Sequence, residues 1–339
     1  MTEPDYRAYA KAGMSALHQW YNPSTGQWKS AGWWNAANAL TAVVAYTKLT
    51  GDTAYEGIIG TTFTAAQRQH ANFINDYYDD NAWWALAWIG AFDLTRNTRY
   101  LQAAKTIFSH NTAGWDDTCG GGLWWTTAKT YKNAITNELF LTLAAQLHLR
   151  TPGDSEYLTW AQRAWDWFNA SGLIGTTGLI NDGLTSACQN NGGPIWTYNQ
   201  GVILGGLGAL FEITGDRLYL EQAEIIASVT LRTLITTPST GPQSGQAILT
   251  ESCEAAFGGC SADQVQFKGI FVRNLLDLWQ RTSQPDYRAF IVANAGSIWD
   301  NNKNAANEFG ARWTGPFDQA DAARQSSALD SLIAAAAFG

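Results

Sequence analysis

Thr50-Gly51-Asp52-Thr53-Ala54-Tyr55 reads as punctuation: a glycine that stops one helix, then an aspartate that starts another. The phrase returns as Thr95-Arg96-Asn97-Thr98-Arg99-Tyr100, as Thr151-Pro152-Gly153-Asp154-Ser155-Glu156-Tyr157, as Thr214-Gly215-Asp216-Arg217-Leu218-Tyr219 and as Thr282-Ser283-Gln284-Pro285-Asp286-Tyr287. Thr2-Glu3-Pro4-Asp5-Tyr6 has the same form. Copies spaced by roughly 45 to 70 residues are too far apart for the common solenoids.

Each copy leads into a helical pattern, as in Tyr100–Phe108, Tyr157–Phe168 and Tyr219–Leu231. A long loop rich in Gly and Trp comes after it. Then comes a second helical pattern richer in Ala, Leu and Gly: Trp33–Leu49, Ala82–Leu94, Asn133–Leu149, Tyr198–Ile213, Phe267–Trp279 and Ser326–Phe338. These second helices are apolar nearly all round, as buried helices are. Continuous β-type alternation is scarce. The pattern predicts an all-α fold, an (α/α)6 toroid of six helical hairpins, with residues 1–339 as one catalytic domain. In such a ring the Thr…Tyr turns share one rim. The long loops share the other, at the N-terminal ends of the inner helices, so residues at those helix starts converge on one concave face.

The composition bounds what that face meets. A formal charge of −8 and a pI near 5.0 argue against nucleic acid or an anionic membrane as partner and suit a neutral ligand. The 17 Trp are in excess; flat rings stack on the C–H faces of sugars, and they also fill large cores. Four cysteines, at 119, 188, 253 and 260, suit a protein secreted or held at the cell surface. Cys253 and Cys260 bracket a short loop and are paired here, which leaves Cys119 for Cys188. No CxxC occurs and none of the 4 His lies near a cysteine, which argues against zinc. No signal peptide is visible; the polar Thr2–Asp5 stretch reads as a start left after signal removal. The apolar Leu332–Phe338 run is too short to span a bilayer and reads as a final core helix. Asn169-Ala170-Ser171 is a glycosylation sequon.

The inner-helix starts carry Trp33-Trp34-Asn35, then Asp76-Tyr77-Tyr78-Asp79-Asp80-Asn81-Ala82-Trp83-Trp84. Tyr131-Lys132-Asn133 with Asn137-Glu138 comes next, followed by Trp196-Thr197-Tyr198-Asn199-Gln200 and Gln266-Phe267-Lys268. Aromatic rings alternate with amides and acids, which lets a cleft stack on a sugar ring and bond its hydroxyls. Trp124, Trp125 and Asp182 belong to loops over the same rim. Asp79-Asp80 is the sharpest feature. Carboxylates at a helix start accept backbone N–H bonds and suit the dipole, which accounts for one of them. Two, among aromatic residues, match the carboxylate pair that glycoside hydrolysis needs, and like charges so close raise one pKa. Asp116 and Asp117 compete from a Gly-rich loop, Glu251 and Glu254 read as structural, and Glu138 reads as part of the floor.

Tyr77-Tyr78-Asp79-Asp80-Asn81-Ala82-Trp83-Trp84-Ala85-Leu86-Ala87-Trp88 resembles the signature of glycoside hydrolase family 76, the endo-α-1,6-mannanases. Gly121-Gly122-Leu123-Trp124-Trp125, Tyr131-Lys132-Asn133-Ala134 with Thr136-Asn137-Glu138, and Trp196-Thr197-Tyr198-Asn199-Gln200-Gly201 resemble it too, in the same order. The resemblance implies the toroid independently of the repeat. It also implies retaining hydrolysis of α-1,6-mannan, with Asp79 as nucleophile, Asp80 as acid/base and Asp182 as a further acid near the cleaved sugar. Asn35, Tyr78, Trp124, Trp125, Lys132, Asn133, Asn137, Asp182, Tyr198, Asn199, Gln200 and Lys268 form the expected substrate-binding set. No metal or cofactor is expected, and a monomer is. The alternatives are a mannan transglycosylase acting on cell-wall or anchor glycans, and a non-catalytic mannan-binding toroid.

Overall fold

The computed structural model describes residues 4–256 and 259–339. Thr2 and Glu3 of the first turn phrase, and Phe257 and Gly258 of the Cys253–Cys260 loop, lie outside the described residues. Among those residues there are twelve α-helices: α1 (Tyr6–Gln19), α2 (Trp33–Thr50), α3 (Glu56–Ala65), α4 (Tyr78–Thr95), α5 (Thr98–Asn111), α6 (Ala134–Leu149), α7 (Glu156–Ala170), α8 (Thr197–Thr214), α9 (Arg217–Thr233), α10 (Phe267–Thr282), α11 (Pro285–Asn301) and α12 (Ala322–Ala336). Among the described residues, strand is confined to two hairpins of two-residue strands, Tyr21–Asn22 with Gln27–Trp28 and Ile235–Thr236 with Ile248–Leu249. No helix among the described residues is long and apolar enough to cross a membrane.

The repeated phrase is a stop signal fused to a start signal. Its threonine ends an even-numbered helix with the hydroxyl turned back onto the carbonyl four residues earlier: Thr50 on Tyr46, Thr95 on Ala91, Thr214 on Leu210, Thr282 on Leu278. The same oxygen accepts the N–H two residues on, from Asp52, Asn97 and Asp216. The residue between is left-handed. It is Gly51 (φ 71°) or Gly215 (φ 73°) where no Cβ opposes that conformation, and Arg96 (φ 59°) or Ser283 (φ 55°) where one does. The Asp or Asn then starts the odd-numbered helix: Asp5, Asp52, Asn97 and Asp216 accept from Ala8, Ala54, Arg99 and Leu218 amides.

The two helix sets differ as their sequences predict. In α5, Tyr100, Ala104, Ile107, Phe108 and Asn111 are buried, a one-sided stripe. In contrast α6 is buried from Ala134 through Ala145, α8 from Asn199 through Leu210 and α12 throughout. The chain divides into two compact units, 1–68 with 230–339, and 69–229. In the first, α12 packs against α1, α2, α10 and α11. Gly269 of α10 is what lets α10 approach, since a Cβ there would lie 2.3 Å from the Ser327 carbonyl oxygen. In the second, α6 packs against α4, α5, α7 and α8.

Helix starts depart furthest from expectation at two places, by four residues each. α4 begins at Tyr78, not Ala82, so the acid pair falls inside its first turn. α12 begins at Ala322, where Asp321 accepts from the Arg324 amide, not at Ser326. Both expected disulfides are present, Cys119–Cys188 and Cys253–Cys260, and Asn169 of the sequon is exposed.

Candidate active site

The acid pair lies at a helix start that a distant loop caps. The Tyr78 amide donates to the Trp125 carbonyl (3.0 Å), and Asn111 holds the Tyr78 carbonyl (2.8 Å). Trp125 is in turn fixed by its own amide on the Tyr131 carbonyl (2.8 Å), and its indole N–H donates to Asp79 Oδ2 (3.0 Å). One residue therefore caps the helix and orients the first acid. Asp79 Oδ1 is buried and meets no partner at hydrogen-bonding geometry. Burial, and then the neighbouring Asp80 charge, push the Asp79 carboxyl well above the usual carboxylate range; the Trp125 bond works the other way.

Asp80 faces a different environment. Its Oδ2 accepts from Asn75 Nδ2 (2.7 Å). Buried Asn81 clamps Asn75 by accepting from its amide (2.8 Å) and donating to its carbonyl (3.1 Å). Sequence reasoning missed Asn75; an amide four residues ahead of an acid pair is too ordinary to signal itself.

Asp182 is the third acid. Tyr131 donates its hydroxyl to Asp182 Oδ2 (2.5 Å), and Asn191 donates to that same hydroxyl (2.9 Å). Burial raises the Asp182 carboxyl, opposed by the Tyr131 and Trp196 bonds. Gly183 is needed beside it, because a Cβ there would lie 2.2 Å from the Tyr131 hydroxyl. Buried Gln200 grips Ile180 at both amide and carbonyl (2.9 Å each), and the Asp182 carbonyl accepts from the Ala134 amide at the start of α6 (2.8 Å). The segment carrying Asp182 is thus pinned to both α6 and α8.

The expected substrate-binding residues separate into three kinds. Trp124, Trp125, Asp182 and Tyr198 keep part of their surface. Asn35 and Asn199 are buried, with the Asn35 amide nitrogen and both Asn199 amide atoms unpartnered. The others are spent inside the protein. Lys132 is buried, with its ammonium on the carbonyls of Asp116, Thr118 and Gly121 and on the Asp116 carboxylate (3.0 Å). It lies 4.8 Å from the Trp124 ring centre, and Trp124 donates to Asp116 (2.7 Å), so Lys132 shapes the loop that carries Trp124. Asn133 caps α6, and Asn137 holds Leu123 at both amide and carbonyl. Lys268 pairs with Glu254 (2.5 Å) and donates to the Ala311 carbonyl.

Tyr78 is a correction. It is 4% exposed, its ring lies against Gly114 and His110, and Tyr77 is the exposed one at 41%. Tyr77 meets Trp125 edge-on at 5.1 Å, and Trp125 meets Tyr131 at 6.3 Å, so these three rings form the aromatic wall.

Two acids in unlike surroundings on one turn, beside an aromatic wall and a third acid, can hold one shared proton and bind a polar ring with apolar faces. Known proteins resemble this one along its length. The mannan endo-1,6-alpha-mannosidase DCW1 of Candida albicans is 28% identical over 272 residues, 72% of this chain and 57% of that protein. DCW1 of Saccharomyces cerevisiae is 26% identical over 336 residues, 89% of this chain and 71% of that protein. The chain spans about 57 to 60% of the length of several such yeast relatives. Among solved structures, the α-1,6-mannanase GH76A of Salegentibacter sp. HEL1_6 matches with a TM-score of 0.84 at 24% identity, over 98% of this chain and 99% of that one. An inactive variant of that mannanase, with two adjacent aspartates changed to alanine, was solved with α-1,6-mannotetrose and matches with a TM-score of 0.83 at 23% identity, over the same shares of both chains. At such identity the likeness is one of fold, the all-α (α/α)6 class that the repeat predicts. The family model for Glycosyl hydrolase family 76 matches residues 6–338, and the chain belongs to that family.

Proposed function

We propose that this protein is an endo-α-1,6-mannanase, working outside the cell as a single monomeric catalytic domain, and that it cleaves with retention through a covalent mannosyl-enzyme. The observation that carries this reading is the Asp79-Asp80 pair on the first turn of α4, one carboxyl buried against Trp125 and the other held by Asn75. Glycosidases need two carboxyls with different proton affinities at one bond. Support also comes from the related mannanase, whose variant lacking two adjacent aspartates is inactive and was solved with mannotetrose.

In the first step Asp80 gives its proton to the glycosidic oxygen, the bond from that oxygen to the anomeric carbon breaks, and an Asp79 oxygen bonds to the carbon. In the second, Asp80 takes a proton from water, the water oxygen attacks the anomeric carbon, and Asp79 is released. Burial and the Asp80 charge favour the protonated form of Asp79, so for attack by Asp79 the proton must first pass to Asp80.

The same burial favours a second reading with the roles exchanged, Asp79 as acid and Asp80 as nucleophile. A slowly released fluoro-mannoside separates them, because mass spectrometry of the trapped peptide places the sugar on Asp79 or on Asp80.

The test of the function itself is release of reducing ends from unbranched α-1,6-mannan. Asp79→Asn and Asp80→Asn are each expected to lower kcat by about a hundredfold or more with the fold intact, and Asp116→Asn to be much milder. Failure of the unmodified protein to release reducing ends, or full activity in either Asn variant, would refute the proposal.

A further inference from the structure

Asn75 lies three residues ahead of α4, and both its side-chain atoms and both its backbone groups are engaged. Its Oδ1 accepts from the Tyr77 amide (2.8 Å), and its Nδ2 donates to Asp80 Oδ2 (2.7 Å). Its backbone amide donates to Asn81 Oδ1 (2.8 Å), and its carbonyl accepts from Asn81 Nδ2 (3.1 Å); Asn81 is 0% exposed. A backbone N–H can only donate, so the side-chain atom facing Tyr77 must be the amide oxygen, and the nitrogen must face Asp80. A flipped amide would set two donors against each other and an oxygen against the carboxylate. The backbone therefore fixes the polarity of the Asn75–Asp80 bond, with Asp80 Oδ2 as the acceptor.

An N–H aimed at a carboxylate oxygen stabilises the ionised form. Asn75 aims one at Asp80 on the same helical turn where burial holds the Asp79 carboxyl up, so the pair is driven apart in proton affinity from both sides. Either assignment of roles needs an ionised Asp80 at one step, as base on the attacking water or as nucleophile on the anomeric carbon. Other ionisable groups stand on the elements packed against α4: Arg99, Lys105 and His110 on α5, and Glu138 and His148 on α6, with Asp76 in the segment just before α4. None of them makes the Asn75 bond, and the variants below leave all of them in place.

We infer that Asn75 is a positioning residue: its one-way amide fixes the Asp80 carboxyl and makes Asp80 the member of the pair that gives up its proton first. The Tyr77 amide that locks Asn75 belongs to the exposed ring of the aromatic wall, so the frame that aims this acid also carries the wall. The inference rests on the proposed mannanase reading, so its test has one arm that needs no activity.

That arm is a carbon NMR titration of the whole protein with isotope-labelled aspartate carboxyls, the pair being assigned through Asp79→Asn and Asp80→Asn. The lower titration step of the pair is expected on the Asp80 signal. In Asn75→Ala that step should move up by about one pH unit, the worth of one hydrogen bond to a charged group. Asn75→Asp is isosteric, keeps an oxygen for the Tyr77 amide and turns the donor into an acceptor, so the Asp80 step should rise at least as far. This variant also decides the matter if the Ala variant does not fold. A lower step carried by Asp79, or an Asp80 step that stays in place in the variants, would overturn the inference. The second arm is the pH profile of kcat/KM on α-1,6-manno-oligosaccharides, whose acid limb reports the first ionisation in the free enzyme. That limb is expected to move up with the NMR step. An Asn75 that merely held the chain would leave the limb where it is, and Asn75→Asp would then match the unmodified protein; either result contradicts the inference. An unmodified protein inactive on every mannan would sink the mannanase reading, and the titration would still decide what Asn75 does to Asp80.

Discussion

Asp79, the proposed nucleophile, works against the fold that holds it. Its carboxyl is raised by burial and by the Asp80 charge. A carboxyl raised in the folded state contributes its stability below the unfolded pKa, near 4, and loses it as the pH climbs through the raised value. Asp79→Asn is therefore expected to lose about a hundredfold or more in kcat and yet melt higher than the unmodified protein at pH 8, with little difference at pH 4. Calorimetry at the two pH values measures this, and a variant that melts lower at pH 8 would contradict it. Gly183 makes the complementary case: the Ala variant should drive the Tyr131 hydroxyl off Asp182 and cost about tenfold or more in kcat/KM, by the misplacement of one acid. Unaltered kinetics in Gly183→Ala would show that the Tyr131–Asp182 bond does not matter. Asp79 and Asp80 stand out in the sequence because paired acids in aromatic surroundings are rare, whereas Asp182, in Ile180-Asn181-Asp182-Gly183, is singled out by the family resemblance. The sequence could not show that Tyr77 and not Tyr78 faces outward, because Gly114, more than thirty residues away, makes the room that Tyr78 fills. Nor could it show that Lys132 is consumed by three carbonyls of its own loop.

Helices and turns were the most readable level, for a local reason. The Thr, Gly and Asp of the repeated phrase bond within a few residues of themselves, so their pattern survives in one dimension. Where the phrase departs from glycine the structure bears a small strain. Ser283 is left-handed at the end of α10, and Ser283→Gly is expected to raise stability by up to about 1 kcal/mol in urea unfolding. A loss of stability would mean that the Ser283 side chain contributes more than its backbone costs. The start of α4 was not readable, because its cap is not local: no side chain closes it, and the Trp125 carbonyl supplies the acceptor from another loop. The Cys119–Cys188 bridge obeys the same logic at longer range, tying the loop of Asp116 and Trp124 to the loop just after Asp182.

Taken whole, the molecule is an acidic chain whose apolar helices leave their polar groups near the helix starts. Its charge suits a neutral glycan, and its tryptophans divide between core and surface: Trp84 and Trp88 are buried, while Trp124 and Trp125 keep some surface. The six-fold repeat made the fold class legible from end to end, since helices buried nearly all round, as α6, α8 and α12 are, alternate with helices buried along one stripe, as α5 is. The chemistry was legible only as a cluster; which amide holds which acid depends on contacts between loops far apart in sequence. The central claim is that Asp79 and Asp80, neighbours on one helical turn, break an α-1,6-mannosidic bond by double displacement. Neighbours on one turn can place their carboxyls about 5–5.5 Å apart, which leaves no room for the water an inverting enzyme needs. Proton NMR of the first product released from α-1,6-mannan measures the outcome directly. The account predicts that the α anomer forms first and then mutarotates; first release of the β anomer would contradict it.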